Sequence, residues 1–339
     1  MNRTTAVPQF APLTADDDET VGQWLRLLDD SVGDIPGNAP ACHTDMTGSL
    51  RFAPPATELD DWVVRRDGQV VGALRLAFPD GAPVARVDQL LVSPALRRQG
   101  IGRELFRHAV ESAAERGRSV LTTTLVEGLA SGPARDTGPA AFGAAMGAVR
   151  APVPAGLHQW LDLGRHDPLA GGVPAVPEGY SLVTWDTITP DEFAVRVSVL
   201  EQSLGGGPAD AAAQEVATSY ARQFEKMRVG RGRRAYHTGV IHTASGVLAG
   251  YTSVSKTTGN PEYALQGMTV VHHEHRGHRL GLLLKLANLA RVRVHEPAVR
   301  LVETANAEDN LPMIAVNATM GYVPRDRWVS WTRPVGPAV

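Results

Sequence analysis

A chain of 339 residues has room for two domains of ordinary size. Its 33 Lys and Arg against 36 Asp and Glu leave a net charge of −3, so no bulk positive field exists to hold nucleic acid or an anionic membrane. One cysteine, no apolar run of the roughly 18 residues that span a membrane, and an acidic opening without a signal-peptide core exclude a disulfide framework and a cysteine zinc site, and they lead to the expectation of a soluble cytoplasmic protein, monomer or homodimer.

In chain order, a helix is expected over Thr20–Leu28 and a variable loop over Ala39–Leu59. The lone Cys42 in that loop is read as incidental rather than as a nucleophile. DWVVRRDGQVV (Asp61–Val71) has two apolar runs about Asp67-Gly68, which is a hairpin signal. A strand near Ala73–Ala77 and a turn at Pro79-Asp80-Gly81 follow. Val87, Leu90, Leu91 and Val92 then form a short buried strand stopped by Ser93-Pro94. From Ile101 the apolar residues Leu105, Phe106, Ala109, Val110, Ala113 and Ala114 fall at helical spacing. Between strand and helix lies Arg97-Arg98-Gln99-Gly100-Ile101-Gly102. A turn that opens a helix presents backbone N–H groups, glycines let an anion approach, and arginines match phosphate, so the chemistry implied is capture of a diphosphate. The Rossmann fingerprint would need glycine at Leu105, and the nucleotide P-loop a Gly-Lys-Ser/Thr ending; neither is present. A strand over Ser119–Leu125 and a helix over Pro139–Met146, closed by Gly147, complete this half.

The Gly- and Pro-rich stretch Gly164–Gly179 is expected to be a linker between residues 1–163 and 180–339. A helix over Asp191–Leu204 and a variable loop at Gly205–Ala213 follow. Arg228–Arg234 (RVGRGRR) lacks the aromatic interleaving of a nucleic-acid groove and is read as a solvated loop or a contact for an acidic acceptor. Tyr236–Leu248 is again a hairpin, turning near Ser245-Gly246, with a further turn at Gly259-Asn260-Pro261 and a strand ending at Val271. Gly250 stands 178 residues after Gly72 and Val271 stands 179 after Val92, so the chain is a tandem duplication. The second loop carries Arg276, Gly277, His278, Arg279, Leu280 and Gly281, with Arg279 where the first has Gly100. Its helix runs through Leu283, Leu284, Ala287, Ala290 and Val294 and stops at Pro297. His272, His273, His275 and His278 share one short turn and converge poorly for tetrahedral zinc, so no metal is expected. A strand at Arg300–Thr304 and a helix at Pro312–Met320, ended by Gly321-Tyr322, close the chain.

A strand, Val-x-Pro, then Arg-x-x-Gly-x-Gly opening a helix (Val92, Pro94, Arg97, Gly100, Gly102) resembles the pyrophosphate loop of the GCN5-related N-acetyltransferases, the GNAT family. The phrase N-A-x-x-N-x-x-M-I-A-V-N-x-x-x-G-Y (Asn306–Tyr322) is similar to the family's last helix. The resemblance spans nearly the whole chain and looks like the tandem, mycothiol-synthase-like and secondary-metabolism members. It implies an α/β (α+β) fold of two GNAT domains, each a mixed, mostly antiparallel sheet flanked by helices. It also implies acetyl transfer from acetyl-CoA to the amine of a small molecule, with no nucleic-acid or membrane partner. The coenzyme-binding residues it implies are Leu91, Val92, Arg97, Arg98, Gln99, Gly100, Ile101, Gly102 and Arg103, and in the second half Val270, Val271, Arg276, Gly277, His278, Arg279, Leu280 and Gly281. Asp88, four residues before Val92, matches the family's water-relayed carboxylate, and the Leu91 or Val92 amide would face the thioester carbonyl. Its counterpart is Gly267, for which Glu303 or Tyr322 could substitute. The family's tyrosine acid is replaced by Gly143 and Asn317. The alternative is a CoA-binding protein that has lost catalysis and serves structure or regulation.

Overall fold

The protein is described from a computed structural model over residues 9–33, 39–202 and 211–336. In chain order it runs β1 (Gln9–Pro12), α1 (Asp18–Gly33), α2 (His43–Ser49), β2 (Thr57–Arg66), β3 (Gln69–Pro79), β4 (Val84–Val92), α3 (Ile101–Glu115), β5 (Val120–Gly128), α4 (Gly138–Ala145), β6 (Val149–Arg150) and β7 (Gly156–Asp162). It continues β8 (Tyr180–Trp185), α5 (Asp191–Gln202), α6 (Ala211–Gly230), β9 (Arg233–His242), β10 (Leu248–Thr257), β11 (Tyr263–Val271), α7 (Leu280–His295), β12 (Leu301–Ala307), α8 (Leu311–Thr319) and β13 (Val323–Pro334).

The chain divides into two units, one of residues 1–157 with 325–339 and the other of residues 158–324. The expected division at 164–179 is therefore displaced. That stretch lies inside the second unit, and the last strand of the chain returns to the first. Each unit repeats one strand order, β1-β2-β3-β4-β5-β13 and β8-β9-β10-β11-β12-β7. Neighbours pair antiparallel along β1–β4 and along β8–β11, while β4 runs parallel to β5 and β11 parallel to β12. The β2–β3 hairpin turns at Asp67-Gly68, both with positive φ (52° and 78°), as a two-residue turn between right-twisted strands requires.

Both faces of each sheet are covered. In the first unit Ile101, Leu105, Ala109 and Ala113 of α3 pack on Val64, Leu74 and Leu76, and Trp24 and Leu27 of α1 pack on Val63 and Ala73. The first face follows from the helical period of α3, which buries every third or fourth residue at about 2 kcal/mol per large apolar side chain. In the second unit Leu280, Leu283 and Leu284 of α7 meet Val240 and Ala249, while Leu286, Leu289 and Val292 meet Val254 and Val302. Leu200 of α5 joins Trp185, Tyr251 and Val270 on the opposite face.

Several expectations need correction. The first helix is longer than Thr20–Leu28, because Asp17 accepts from the Thr20 amide at 3.0 Å and caps it. The supposed loop Ala39–Leu59 contains α2 and the start of β2. Of the supposed loop Gly205–Ala213, residues 205–210 lie outside the described residues and Ala211–Ala213 begin α6. Arg228–Arg234 is no loop: it spans the end of α6 and the start of β9. On α7, Val294 is 77% exposed, and the inward face includes the polar Lys285 and Asn288.

Candidate active site

In the first unit β4 and β5 share only three rungs, Val84↔Val120, Ala85↔Leu121 and Arg86↔Thr122. Beyond Arg86 the strands part, with Thr123 Oγ1 still donating to the Val87 carbonyl at 2.9 Å. The parting coincides with a bulge. Against β3 the register changes from Leu76↔Val87 to Arg75↔Gln89, leaving Asp88 as the extra residue. The Ser93 amide donates to the Val71 carbonyl at 2.9 Å. Antiparallel alternation then turns the Leu91 amide toward β3 and sends the Leu90 and Val92 amides into the fork. Of the two amides expected to face a thioester, that of Val92 points into the fork and that of Leu91 turns to β3.

The strand ends in a short turn, Pro94–Leu96, after which Arg97 Nε reaches back to the Val92 carbonyl at 3.4 Å. Arg98 (φ 66°) and Gly100 (φ 93°) take left-handed backbone and aim the chain into α3. Gln99 accepts from Arg66 Nη1 at 2.9 Å. The Ile101 side chain is core, 2% exposed, so only its amide is available to a ligand. A Cβ on Gly102 would touch the Phe142 ring at 3.6 Å.

The second unit repeats this geometry. β11 and β12 share Tyr263↔Leu301, Ala264↔Val302 and Leu265↔Glu303, then part. The β10 register changes between Val254↔Gln266 and Thr252↔Thr269. The His272 amide donates to the Ala249 carbonyl at 2.8 Å, so the Val270 amide turns to β10 and the Val271 amide enters the fork. Arg276 Nε reaches the Val271 carbonyl at 3.3 Å, matching Arg97. The left-handed residues are Gly277 (φ 87°) and Arg279 (φ 56°), at the positions of Arg98 and Gly100. Each loop thus has two left-handed residues, one glycine and one arginine, in opposite order. Arg279 preserves the left-handed position it occupies. Leu280, like Ile101, is buried at 1%.

A fork with unfilled strand amides, ending in a helix start flanked by arginines, suits a ligand with an amide-bearing arm and a diphosphate. Both forks therefore fit acetyl-CoA. The amides around 98–102 and 277–281, with Arg97 and Arg276 beside them, would hold its phosphates. A Cβ on Gly100, Gly277 or Gly281 would meet nothing within 4 Å, so all three face open space.

Asp88 is exposed and ion-paired to Arg86, with Arg86 Nη2 3.0 Å from Oδ2 and Nε on Oδ1. That hydrogen-bonded carboxylate raises the Arg86 pKa against the opposing cost of burial. Gly143 is overlaid by Trp331 of β13, whose ring carbon stands 3.6 Å from where a Cβ would be. In the second unit Ser253 Oγ closes on Gly267, and Gln266 turns inward to Thr252 Oγ1 (3.0 Å) and the Ser253 carbonyl (2.8 Å). Asn317 is fully buried; its Nδ2 donates to Gln159 and Asn306, each at 2.8 Å, and it accepts from Lys285 Nζ. Tyr322 is core, with Lys285 Nζ 4.8 Å above its ring, and burial raises its pKa. Of the loop histidines, His275 and His278 pack on Tyr180, His275 also meets His242, and His272 lies against His273 and His275; His275 Nδ1 lies 3.0 Å from Tyr180 Oη. Burial, then His242, lowers the His275 pKa. Among the described residues no group of three His, Cys, Asp or Glu side chains is placed to hold a metal.

The GNAT acetyltransferase family profile matches residues 35–130, the stretch that holds the first fork. A tandem GNAT protein from the clavulanic acid biosynthesis pathway, solved without acetyl-CoA, is 70% identical, with a TM-score of 0.94 over 98% of this chain and all of that one. The chain belongs to the GNAT family. A GCN5-related N-acetyltransferase from Sphaerobacter thermophilus shares the fold at 17% identity, with a TM-score of 0.68 over 98% of this chain and 97% of its own. A fungal glucosamine N-acetyltransferase region within a multi-domain β-N-acetylglucosaminidase shares it at 13% identity and a TM-score of 0.66, over 98% of this chain and 38% of that one. No curated protein matches in sequence.

Within this GNAT acetyltransferase, sequence reasoning missed several polar groups beside the forks. Arg75 lies in the apolar run VVGALRLAF and is 6% exposed. It binds Asp61 at 2.5 Å and Ser49 Oγ at 2.6 Å; burial raises the Asp61 pKa while Arg75 opposes the rise. Lys285 interrupts GLLLKLANLA, and burial lowers its pKa to about 7. One charged residue inside an apolar element was the available signal in both cases. His158 gave no such signal. It sits 5% exposed on β7, in a stretch without a motif.

Proposed function

We propose that this acetyltransferase moves the acetyl group of acetyl-CoA onto the amine of a small molecule of natural-product type, and that Asp88 serves the reaction in the first unit. The observation that carries this reading is the fork itself: β4 leaves β5 after Arg86, bulges at Asp88, and ends in a left-handed loop that opens α3. The 70% identity to a protein of the clavulanic acid biosynthesis pathway supports the acceptor class.

Acetyl-CoA supplies an activated acyl carbon, a thioester, when bound. The chain's part is to position and to move protons. Arg86 holds the Asp88 carboxylate at the point where the strands part. From there Asp88 takes the proton of an incoming ammonium through a water, leaving a nucleophilic amine. The Val92 amide donates to the carbonyl oxygen as negative charge develops on it. With Gly143 in place of an acid, the departing sulfur is protonated from solvent in this scheme. Asp88→Asn is expected to lower turnover several-fold, read as free-thiol release over a panel of amines, with acetyl-CoA affinity by calorimetry unchanged. Unchanged turnover removes Asp88 from the mechanism. Absence of thiol release by the unaltered chain with every amine sinks the transferase reading.

A further inference from the structure

We propose that the second unit carries its own proton acceptor, Glu303 backed by His158, at the floor of its fork, where it deprotonates an amine for a second acyl transfer. The proposal rests on the transferase reading above and adds a second reaction centre to it.

Leu265↔Glu303 is the last rung between β11 and β12, so Glu303 stands where the strands part. Its neighbour Val302 is buried against Leu289 and Val292 of α7. Alternation along the strand therefore turns Glu303 to the opposite sheet face. On β7, Gln159 binds Asn317 of α8 and Leu161 joins the α7 cluster, which turns His158 and Trp160 to the face of Glu303. There Glu303 Oε2 lies 3.4 Å from His158 Nε2, with the carboxylate 33% exposed and the imidazole 6%. An outer group that an acceptor can reach is thus backed by an inner one that it cannot.

The Trp160 indole N–H donates to the same His158 nitrogen at 2.9 Å, and the Trp160 ring meets Tyr263 edge-on at 6.1 Å. An indole N–H only donates, so His158 Nε2 accepts and the neutral ring carries its proton on Nδ1. The one Nε2 lone pair is thereby engaged, so His158 donates nothing to Glu303, and the carboxylate beside it keeps its capacity to take a proton. The first unit has Thr122 at the matching last rung, so the pair belongs to the second unit alone. It compensates for Gly267, which offers no side chain at the bulge.

In the reaction an ammonium gives one proton to Glu303, and the freed nitrogen lone pair forms a C–N bond to the acyl carbon of an acyl-CoA thioester. The C–S bond breaks with its electron pair on sulfur. The second nitrogen proton neutralises that thiolate through solvent, and the proton held by Glu303 returns to water. The products are an amide and the free CoA thiol.

The test uses the full chain with Asp88→Asn, alone and combined with Glu303→Gln, and reads thiol release from acetyl-CoA with an amine panel. The expected result is residual transfer in Asp88→Asn that falls about 100-fold in the double variant, the scale of a lost general base. Acetyl-CoA stoichiometry and the thermal midpoint should not change. Trp160→Phe keeps an aromatic ring but removes the donor to His158, which frees Nε2 to carry a proton and donate to Glu303; that stabilises the carboxylate, so the variant should lower kcat and leave the KM for the amine unchanged. Equal residual rates with and without Glu303→Gln overturn the proposal. So does loss of all transfer in Asp88→Asn alone, which leaves the transferase reading standing. An unaltered chain that releases no thiol with any amine overturns both.

Discussion

Gly100 has φ 93° and nothing within 4 Å of where a Cβ would stand, whereas a Cβ on Gly250 would lie 2.8 Å from the Val270 carbonyl oxygen and 3.2 Å from Leu284. The first glycine serves backbone conformation and the second serves space. A non-glycine residue in left-handed backbone costs about 1–2 kcal/mol. Arg279 already bears that cost at the position of Gly100 (φ 56°). Gly100→Arg is therefore expected to lose about 1 kcal/mol of stability in chemical denaturation while holding acetyl-CoA to within a few-fold. Gly250→Val must push a backbone carbonyl of β11, an overpacking cost of about 1–3 kcal/mol, and should weaken binding at the second fork. Abolished binding in Gly100→Arg would mean that conformation alone does not make the two loops equivalent.

At the scale of elements, β13 completes the first unit's sheet, pairing with β5 from Asp326↔Gly128 to Pro334↔Val120. Asp326, at its start, meets Arg135 at 2.6 Å with both side chains at most 3% exposed. Breaking a buried pair of this kind costs about 3–5 kcal/mol. Asp326→Ala should therefore lower the unfolding free energy by that amount in chemical denaturation. A change below about 1 kcal/mol, the range of solvated surface pairs, would show that the pair is solvated. This return of the last strand was not legible in the sequence. The hairpin turn at Asp67-Gly68, the strand-loop-helix at Val92–Ile101 and the 178- to 179-residue offsets are local or repeated patterns, and the structure has each of them. Which sheet a terminal strand joins depends on partners about 200 residues away, and no local pattern encodes that. For the same reason Asp88 could be singled out from its spacing to Val92, while His158, brought beside Glu303 by strand order, could not.

At the scale of the whole molecule, the duplication has kept its forks and diverged inside. Phe106 and Gly143 of the first unit correspond to Lys285 and Asn317 of the second, so apolar packing in one is a buried hydrogen-bonded network in the other. A buried network with satisfied partners tends to fix one packing arrangement rather than to add net stability. The second interior is thus altered without its fork being closed, since the bulge, the Arg276 contact to the strand end and both left-handed residues all remain. That combination predicts two acetyl-CoA molecules per chain in a calorimetric titration. The second fork should bind the more weakly, because a Cβ on Gly281 would meet nothing within 4 Å where Gly102 is backed by Phe142. Gly250→Val should remove the weaker event and leave the stronger. A single event that survives Gly250→Val would confine the coenzyme to the first unit, whereas a single event lost with it would move coenzyme binding to the second and take the first unit's Asp88 out of the reaction.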